Sequence, residues 1–538
     1  MKLKYIIMAG CLCLTTACSD FLDHPLTTSV SDDNIGEIIQ KNPSKIGEFL
    51  ASSYRSLGGI LLYGRQSEYM STMSHEMDID WLGEEQRNQW ATNSLTSSNK
   101  NVEEAYTKYY KALSSANLAL DLIDHVNLEQ LDDTEREMVN NFRGEALFLR
   151  AFIHFDLLRI FGEKGPNFGG GYPNNKDAQG IILMDGLADA NTAIAPRSTV
   201  EECYKVIIRD LKDAEGCIGD NQIPVNTAVL APGYQDTDYT SDLGWAQKPA
   251  VYALLGKVYL YMNNFTDAKT EFEKVLNDSR FALDRPVNFT DHIQHNDNNA
   301  ECIFSLQYYL SDGGTAYDDA PEHHLVRIFG GAPGAWNNYF VDQRTAARFG
   351  DDPRLYEATL YDYEIESWCT ATEPVVFKKV DPATLAGPDF RYYQRKYTDF
   401  YKVSNYVFSN KNVDLIRLGD VYLMYAEVLL NTGDVQGATE YVNKLRRRAY
   451  DEADYNVPSI HDFETIDMAT LQEERYKELF FENSRWYDLC RWGILEEELA
   501  KYPSSNAGAV HYDPQDYYVP IPETELRSNP LLKQSRGY

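Results

Sequence analysis

The feature that most constrains the fold is a helix–turn–helix pattern that occurs twice in the sequence. In the first copy, small and aromatic residues flank a turn at Asn263-Asn264 with the spacing of a tetratricopeptide repeat. These residues are Leu255, Gly256, Tyr259, Phe265, Ala268 and Phe272. The second copy is less regular and comprises Tyr425, Ala426, Gly433, Ala438 and Val442. Because small residues let two antiparallel helices approach closely, both copies predict paired helices.

Other segments add further helices to this pattern. Apolar residues recur every three or four positions over residues 106–123 and 146–160, as on one face of a helix. Two capping-box patterns, Thr134-x-x-Glu137 and Ser198-x-x-Glu201, predict helix starts. We therefore predict a mainly α fold with about four tetratricopeptide-like helix pairs and a large irregular, loop-rich portion.

We expect the mature chain to form one domain after a short tether. The tether spans residues 18–33, and the helical scaffold spans about 34–281 and 411–538. The irregular inserts, at about 58–100 and 282–410, are rich in Gly, Asn, Asp, Pro and aromatic residues. Long irregular segments are unusual inside a compact domain and are often functional, so we expect the ligand to bind there.

The N-terminus has the form of a lipoprotein signal peptide. Lys2 and Lys4 precede an apolar run, residues 5–14, that is too short to span a bilayer. The small residues before Cys18 resemble a lipobox, which predicts that residues 1–17 are removed and that Cys18 is lipidated. Several acyl chains anchor a protein stably to a membrane. The alternative is an ordinary secretory signal with an incidental cysteine.

Charge and cysteine content exclude several classes of function. With 82 acidic and 50 basic side chains, the net charge is −32, which disfavours binding to nucleic acid or anionic headgroups. The five cysteines between residue 203 and the end of the chain have no CxxC spacing, so neither a disulfide framework nor a zinc site is expected. His323-His324 is interpreted as a surface feature, with a metal or ligand role as the alternative. Asp297-Asn298-Asn299 is oxygen-rich enough for a calcium ion but lacks the EF-hand spacing. We predict no metal and no cofactor.

No pattern in the sequence indicates catalysis. The sequence has no GxSxG or HExxH motif, and the many carboxylates prove nothing by their number. Arg485, Asp488 and Arg491 have helical spacing and are interpreted as a structural ion-pair network. Arg446-Arg447-Arg448 is interpreted as a solvated helix end that complements the helix dipole. We expect a binding protein and not an enzyme, with no catalytic residues.

Aromatic residues in the irregular inserts are the candidates for ligand binding. A sugar ring packs its C–H face on an exposed aromatic plane, while amide side chains bond its hydroxyls. Trp336, Asn337 and Tyr339 follow a Gly/Pro-rich stretch and fit this chemistry best. The further candidates are Trp81, Trp90, Asn93 and Tyr317. For each aromatic residue, the alternative is packing beneath a loop.

Several motifs together resemble the SusD/RagB family from Cys18 to Tyr538. They are Arg143-Gly-Glu-Ala-Leu-Phe-Leu-Arg-Ala-Phe152, Arg159-Ile-Phe-Gly162, Pro196-Arg-Ser-Thr-Val200, Leu423-Met-Tyr-Ala-Glu427, Glu474-Arg-Tyr-Lys-Glu-Leu479, Arg485-Trp-Tyr-Asp-Leu489 and Pro520-Ile-Pro522. This resemblance implies a SusD-like fold and a lipoprotein of the outer cell surface.

The resemblance also implies a function and a partner. A SusD-like protein is expected to capture oligosaccharide or polysaccharide and to deliver it to a SusC-type TonB-dependent outer-membrane transporter. A RagB-like member would bind peptides instead. A scaffold for other proteins and a surface glycosidase are further alternatives. The family's sugar-contacting aromatic residues share no local motif with this sequence, so the resemblance assigns no binding residue.

Overall fold

The structure is a computed structural model that describes residues 32–59, 62–63, 66–79, 85–187, 194–220, 244–284, 298–308, 339–355, 359–361, 365–367, 376–377, 392–394, 396–397, 412–503 and 513–538. Its α-helices are α1 (Asp32–Lys41), α2 (Ile46–Gly58), α3 (Gln66–Met73), α4 (Glu85–Ala91), α5 (Lys100–Asp124), α6 (Asp133–Phe161), α7 (Val200–Cys217), α8 (Lys248–Tyr261), α9 (Phe265–Leu276), α10 (Gln343–Ala347), α11 (Leu418–Thr432), α12 (Val435–Ala449), α13 (Met468–Glu478), α14 (Arg485–Trp492), α15 (Leu495–Lys501) and α16 (Glu523–Ser528).

The strands are short and pair two by two. They are β1 (Asp78–Ile79), β2 (Cys302–Leu306), β3 (Tyr339–Phe340), β4 (Thr359–Tyr361), β5 (Ile365–Ser367), β6 (Val376–Phe377), β7 (Tyr392–Gln394) and β8 (Val413–Arg417). The antiparallel pairs are β1–β3, β2–β8, β4–β7 and β5–β6.

Four helix pairs form the scaffold, as the sequence predicts. Helix α2 packs on α5, α6 on α7, α8 on α9, and α11 on α12. Successive pairs also contact one another, through α5 and α6, α7 and α8, and α9 and α11. The apolar faces of these helices therefore form one continuous core. Among the described residues, no helix is both long enough and apolar enough to cross a membrane.

The α8–α9 pair shows how the repeat residues act. Asn263 adopts a left-handed backbone conformation, with φ of 56°, between the two helices, and the Asn264 side chain caps α9 by accepting the Asp267 amide. A Cβ atom at Gly256 would lie 2.5 Å from the Phe272 ring. Only glycine therefore allows this ring to pack so closely on α8, which confirms the turn and the close approach that the sequence predicts.

Two predicted helix starts are displaced by one or two residues. The N-cap of α6 is Asp132, which forms a capping box with Glu135 and not the Thr134–Glu137 box. The N-cap of α7 is Thr199, which pairs with Glu202 rather than Ser198 with Glu201. In both places two candidate N-cap residues lie close together, and each is followed three residues later by a carboxylate. The sequence pattern alone therefore does not show which candidate forms the capping box.

The first predicted insert is more ordered than expected. Within residues 58–100 the structure forms α3, β1 and α4. Both helices are short, and their sequences, QSEYMSTM and EQRNQWA, have no clear apolar face. In the second insert the structure describes β2 to β7 and α10.

The last described segment, residues 513–538, packs against the first half of the scaffold. The Val519 amide donates to the Ile160 carbonyl at 2.9 Å, at the end of α6. The Arg536 amide donates to Glu163 at 2.9 Å, across 373 positions of sequence. Arg197 donates to the Ser535 hydroxyl at 2.8 Å. This segment therefore closes the edge of the α6–α7 pair.

Candidate functional site

A small ladder of strands joins the two inserts in which ligand binding is predicted. In β1 and β3, Asp78 lies opposite Phe340 and Ile79 lies opposite Tyr339. The next residue, Val341, exchanges two backbone hydrogen bonds of 2.9 and 3.1 Å with Tyr392 of β7, which pairs in turn with β4. Segments more than 250 residues apart in sequence are thus brought side by side. We call this arrangement the insert ladder.

Three predicted ligand-binding residues lie inside the protein. Trp90 is 3% exposed and its ring stacks on Tyr69 with centroids 4.9 Å apart. Asn93 is 6% exposed in a left-handed turn, with φ of 50°, and Tyr339 is 1% exposed in β3. In this conformation no sugar can reach these groups. This corrects the expectation that they lie on the surface, and packing beneath the inserts accounts for both aromatic residues.

The remaining predicted residues lie outside the described part of the chain. These are Trp336, Asn337, Trp81 and Tyr317, together with the lipidation candidate Cys18. His323-His324 and Asp297 are outside it as well. A ligand-binding role for the first four residues stays a prediction.

The insert ladder is fixed to the C-terminal helices by polar contacts. His75, two residues after α3, contacts the Tyr502 carbonyl at 3.0 Å. Arg348, just after α10, forms ion pairs with Glu473 of α13 at 2.6 Å and with Glu498 of α15 at 3.0 Å. These contacts place the ladder on a rigid support, as a binding site requires.

A buried ionic cluster centred on Glu478 provides a second anchor. Arg417 of β8 donates to the Glu478 carboxylate at 2.8 Å and Arg354 of the insert at 3.2 Å. Arg448 of α12 also donates to it, and the Lys396 ammonium donates to the Glu478 carbonyl at 3.1 Å. Burial alone would raise the pKa of Glu478, but the three guanidinium groups hold it well below its usual value. The carboxylate therefore stays charged and joins the insert to the scaffold.

Sequence reasoning missed this cluster. Arg447 and Arg448 were expected at a solvated helix end, yet both side chains are 1% exposed. Arg448 pairs with Glu301 at 2.9 Å, and Arg447 pairs with Asp462 at 2.5 Å. Arg447 also pairs with Glu440, seven positions away on the same helix. Asp462 and Glu301 lie 15 and 147 positions away, so no local pattern signals those two pairings.

The Arg485–Arg491 cluster is an ion-pair network, with one change from the prediction. Asp488 pairs with Arg491 at 2.8 Å, as helical spacing predicts, and also with Arg475 at 2.8 Å. Arg485 pairs instead with Glu498, at 2.6 Å. Arg491 binds Glu427 through two hydrogen bonds of 2.5 and 2.6 Å. These partners are all within the protein, so this network fixes α14 in place.

One buried carboxyl next to the insert ladder has an unusual pKa. Glu76, between α3 and β1, is 1% exposed, and one of its oxygens has no hydrogen-bond partner. Burial raises its pKa to about 7, against the opposing effects of Arg485 and of hydrogen bonds from Ser71 and Ser74. Among the described carboxyl groups near the insert ladder, Glu76 is the one expected to change its protonation state close to neutral pH.

The described residues include no group of three or more His, Cys, Asp or Glu side chains placed to hold a metal ion. Cys203, Cys217, Cys302 and Cys490 form no disulfide within the described part of the chain. Burial raises the pKa of both Cys203 and Cys490 to about 12, so these two thiols stay protonated. Neither of these two buried thiols is therefore activated as a nucleophile.

Comparison with known proteins identifies the family. A family model described as the SusD family matches residues 288–538, and one described as "Starch-binding associating with outer membrane" matches residues 20–231. Together the two models account for most of the chain. The chain belongs to the SusD family. A SusD-like protein of Formosa agariphila is 24% identical over 100% of this chain and 99% of its own length.

Solved structures of SusD proteins share the fold. A SusD homologue from Bacteroides thetaiotaomicron superposes with a TM-score of 0.70 at 19% identity, covering 95% of this chain and 99% of its own. A laminarin-binding SusD-like protein superposes with a TM-score of 0.65 at 18% identity, covering 92% and 99%. The starch-binding protein SusD of Bacteroides thetaiotaomicron is 27% identical over 27% of this chain and 25% of its own. The predicted SusD-like fold is thus confirmed.

Proposed function

We propose that this protein is a lipid-anchored glycan-binding protein of the outer cell surface. It captures oligosaccharide or polysaccharide and delivers it to a SusC-type TonB-dependent transporter in the outer membrane. Residues 1–17 act as the signal peptide and Cys18 carries the lipid. The protein binds its ligand without chemical change, so it has no catalytic residues.

The observation that carries this proposal is the register of the insert ladder. Ile79 lies opposite Tyr339 at one end of the β1–β3 pair. Because the strands are antiparallel, the chain after Ile79 and the chain before Tyr339 leave the ladder at this same end. Trp81 is two residues beyond Ile79, and Trp336 is three residues before Tyr339. Both tryptophans are thus close in sequence to the same pair of ladder residues.

Trp81 and Trp336, which are each within three residues of the insert ladder in sequence, are proposed to bind the glycan. Their rings supply faces for sugar C–H groups, and the Asn337 amide supplies hydrogen bonds to hydroxyls. The similarity to a starch-binding SusD protein and to a laminarin-binding SusD-like protein supports a glycan over a peptide. Shallow sugar sites bind weakly, and a millimolar Kd corresponds to about −4 kcal/mol. Anchoring beside a transporter raises the effective concentration and makes weak capture useful.

Native affinity electrophoresis tests ligand binding. The protein starting after Cys18 is run through gels that contain starch, laminarin or other neutral and charged polysaccharides. We expect retardation in at least one gel, and we expect Trp336→Ala and Trp81→Ala to reduce it strongly. Tyr252→Ala, a half-buried aromatic on α8 of the scaffold, is the matched control and should migrate like the wild type.

Two results would contradict the glycan proposal. The first is migration unchanged in every gel together with binding of peptides, which would favour the RagB-like alternative. The second is retardation that persists in both tryptophan variants, which would remove the ladder end from the site. Release of short sugars from polymer during the run would indicate a glycosidase.

A further inference from the structure

A cavity lies where the end of α6 and the loop after it meet α7, α8 and α14. Its lining combines three aromatic and three polar side chains, namely Tyr204, Tyr261, Tyr487, Arg159, Lys164 and Asn175. None of these residues belongs to the insert ladder. The free volume is about 40 Å³, whereas one water molecule needs roughly 10–15 Å³. The cavity therefore has room for a molecule of a few heavy atoms.

Two buried polar atoms of the lining have no hydrogen-bond partner among the described residues. Asn175 is 6% exposed, and its Nδ2 donates to the Glu163 carbonyl at 2.7 Å, which fixes the amide and leaves Oδ1 without a donor. The Arg159 side chain is 10% exposed and pairs with Asp156 through a terminal nitrogen, but its Nε has no acceptor. Buried polar groups are normally paired. An unmatched acceptor and an unmatched donor at one cavity therefore indicate a ligand that offers both.

Lys164 adds a positive charge that has no counter-ion. Its ammonium donates to the Arg159 carbonyl at 2.7 Å and to the Gly162 carbonyl at 3.3 Å, and it lies 5.2 Å from the Trp486 ring centre. Within the described part of the chain this ammonium forms no ion pair. Burial lowers its pKa to about 8, and the charges of Arg159 and Arg197 act in the same direction. A bound anion would compensate this charge.

The other charged groups of the lining do not supply that anion. Arg159 and Arg491 pair with carboxylates that are not among the described residues lining the cavity. Burial raises the pKa of the Tyr204 and Tyr261 hydroxyls, so both stay neutral. The charged lining is thus entirely basic, in a chain with 82 acidic and 50 basic side chains. This selects for a ligand with a negative charge.

We propose that this cavity binds a small hydroxy-carboxylate. The carboxylate accepts hydrogen bonds from Lys164 and from the Nε of Arg159, and the ligand hydroxyl donates to the Oδ1 of Asn175. The tyrosine rings cover the carbon atoms. A free acid and the acidic edge of a uronic acid present the same pair of groups, but the small volume favours a free acid of the size of glycolate. The inference adds a second site and does not depend on the proposed function.

Ligand-observed NMR titrations of the protein starting after Cys18 test the site. The ligands are glycolate, acetate, which lacks the hydroxyl, ethylene glycol, which lacks the charge, and galacturonate, a uronic acid. We expect glycolate to bind at least tenfold more tightly than acetate, and we expect no binding of ethylene glycol. Galacturonate that binds more tightly than glycolate, and loses this binding in Lys164→Met, would identify a sugar acid as the source of the same groups.

Two variants locate the ligand. Lys164→Met should weaken glycolate binding at least tenfold, because it removes the charge and keeps the length of the side chain. The matched control is Lys176→Met, an exposed lysine of the same loop outside the cavity, which should bind glycolate like the wild type. Asn175→Ala should lower the affinity for glycolate to that for acetate and leave acetate binding unchanged, which also shows that this variant is folded.

The outcomes separate this inference from the proposed function. If neither glycolate nor galacturonate binds the wild type, or if both bind Lys164→Met and Asn175→Ala as tightly as the wild type, the inference is overturned and the cavity holds water only. Lys164→Met should be retarded by polysaccharide like the wild type, which shows that it is folded; if it is not, Asn175→Ala decides. A wild type that binds glycolate but no polysaccharide would contradict the proposed function alone.

Discussion

At the scale of single residues, burial decides what each polar group can do. Glu76 lies beside the insert ladder and accepts a hydrogen bond from the Ser74 hydroxyl, whereas Glu478 accepts hydrogen bonds from three arginines. The pKa of the first is raised to about 7 and that of the second is lowered. The same residue type therefore destabilises the fold when charged at one position and stabilises it at the other.

Glu76→Gln is expected to stabilise the protein at pH 8 but not at pH 4.5. Because the folded pKa lies above the usual 4.5, the stability that protonated Glu76 supports is present at low pH and is lost as the pH rises through about 7. The neutral glutamine avoids this loss, for a gain of roughly 2–3 kcal/mol at pH 8. Urea unfolding at the two pH values measures it. An equal effect at both would show that charge is not the cause.

At the scale of elements, packing between paired helices sets which glycines are required. The Cβ position of Gly256 in α8 is occupied by the Phe272 ring, whereas nothing lies within 4 Å of the Cβ position of Gly216 in α7. Two glycines within helices of the same scaffold thus face different constraints.

We expect Gly256→Ala and Gly216→Ala to change stability in opposite directions. At Gly256 the added methyl group should push α8 and α9 apart, at a cost of about 1–3 kcal/mol. At Gly216 the methyl group meets no neighbour and improves helix propensity, for a gain of up to about 1 kcal/mol. Thermal unfolding of both variants measures the difference. A similar loss at both positions would contradict the assignment of the Gly256–Phe272 contact.

At the scale of the whole molecule, two sets of buried carboxylates make the stability of the fold depend on pH in opposite directions. Burial raises the pKa of Glu76 and Asp516 to about 7. Burial would also raise that of Glu478, Glu482 and Asp488, but arginine partners lower it below the usual values. The first set makes the fold less stable as the pH rises from 4.5 to 7. The second set makes the fold less stable as the pH falls below about 4.5.

The protein should therefore be most stable near pH 5, on the acid side of neutrality. Mutual repulsion at a net charge of −32 weakens the fold further at higher pH. Urea midpoints measured from pH 3 to pH 8 test this profile. In the double variant Glu76→Gln, Asp516→Asn, the urea midpoint should fall less steeply above pH 5. Below pH 5 the midpoints should match those of the wild type. A maximum at pH 7 or above would contradict this account.

How much could be predicted from the sequence depended on distance along the chain. The α8–α9 pair was predictable because Gly256 and Phe272 lie within one repeat. The burial of Arg448 was not, because its partners Glu301 and Glu478 lie in other elements. Trp90 was expected on the surface because its polar neighbours in sequence do not reveal the Tyr69 ring that covers it. The predicted candidates Trp81 and Trp336 keep their role as hypotheses.

The closure of the α6–α7 edge by residues 513–538 bears on the order in which the chain can fold. The contacts Arg536–Glu163, Arg197–Ser535 and Asn529–Ala195 span 373, 338 and 334 positions. Contacts so distant in sequence form slowly. During synthesis the early helices must wait for nearly the whole chain before this edge is covered. For a protein exported as proposed, this edge of the α6–α7 pair stays uncovered until residues 513–538 have been made, although the helix pairs themselves are local in sequence.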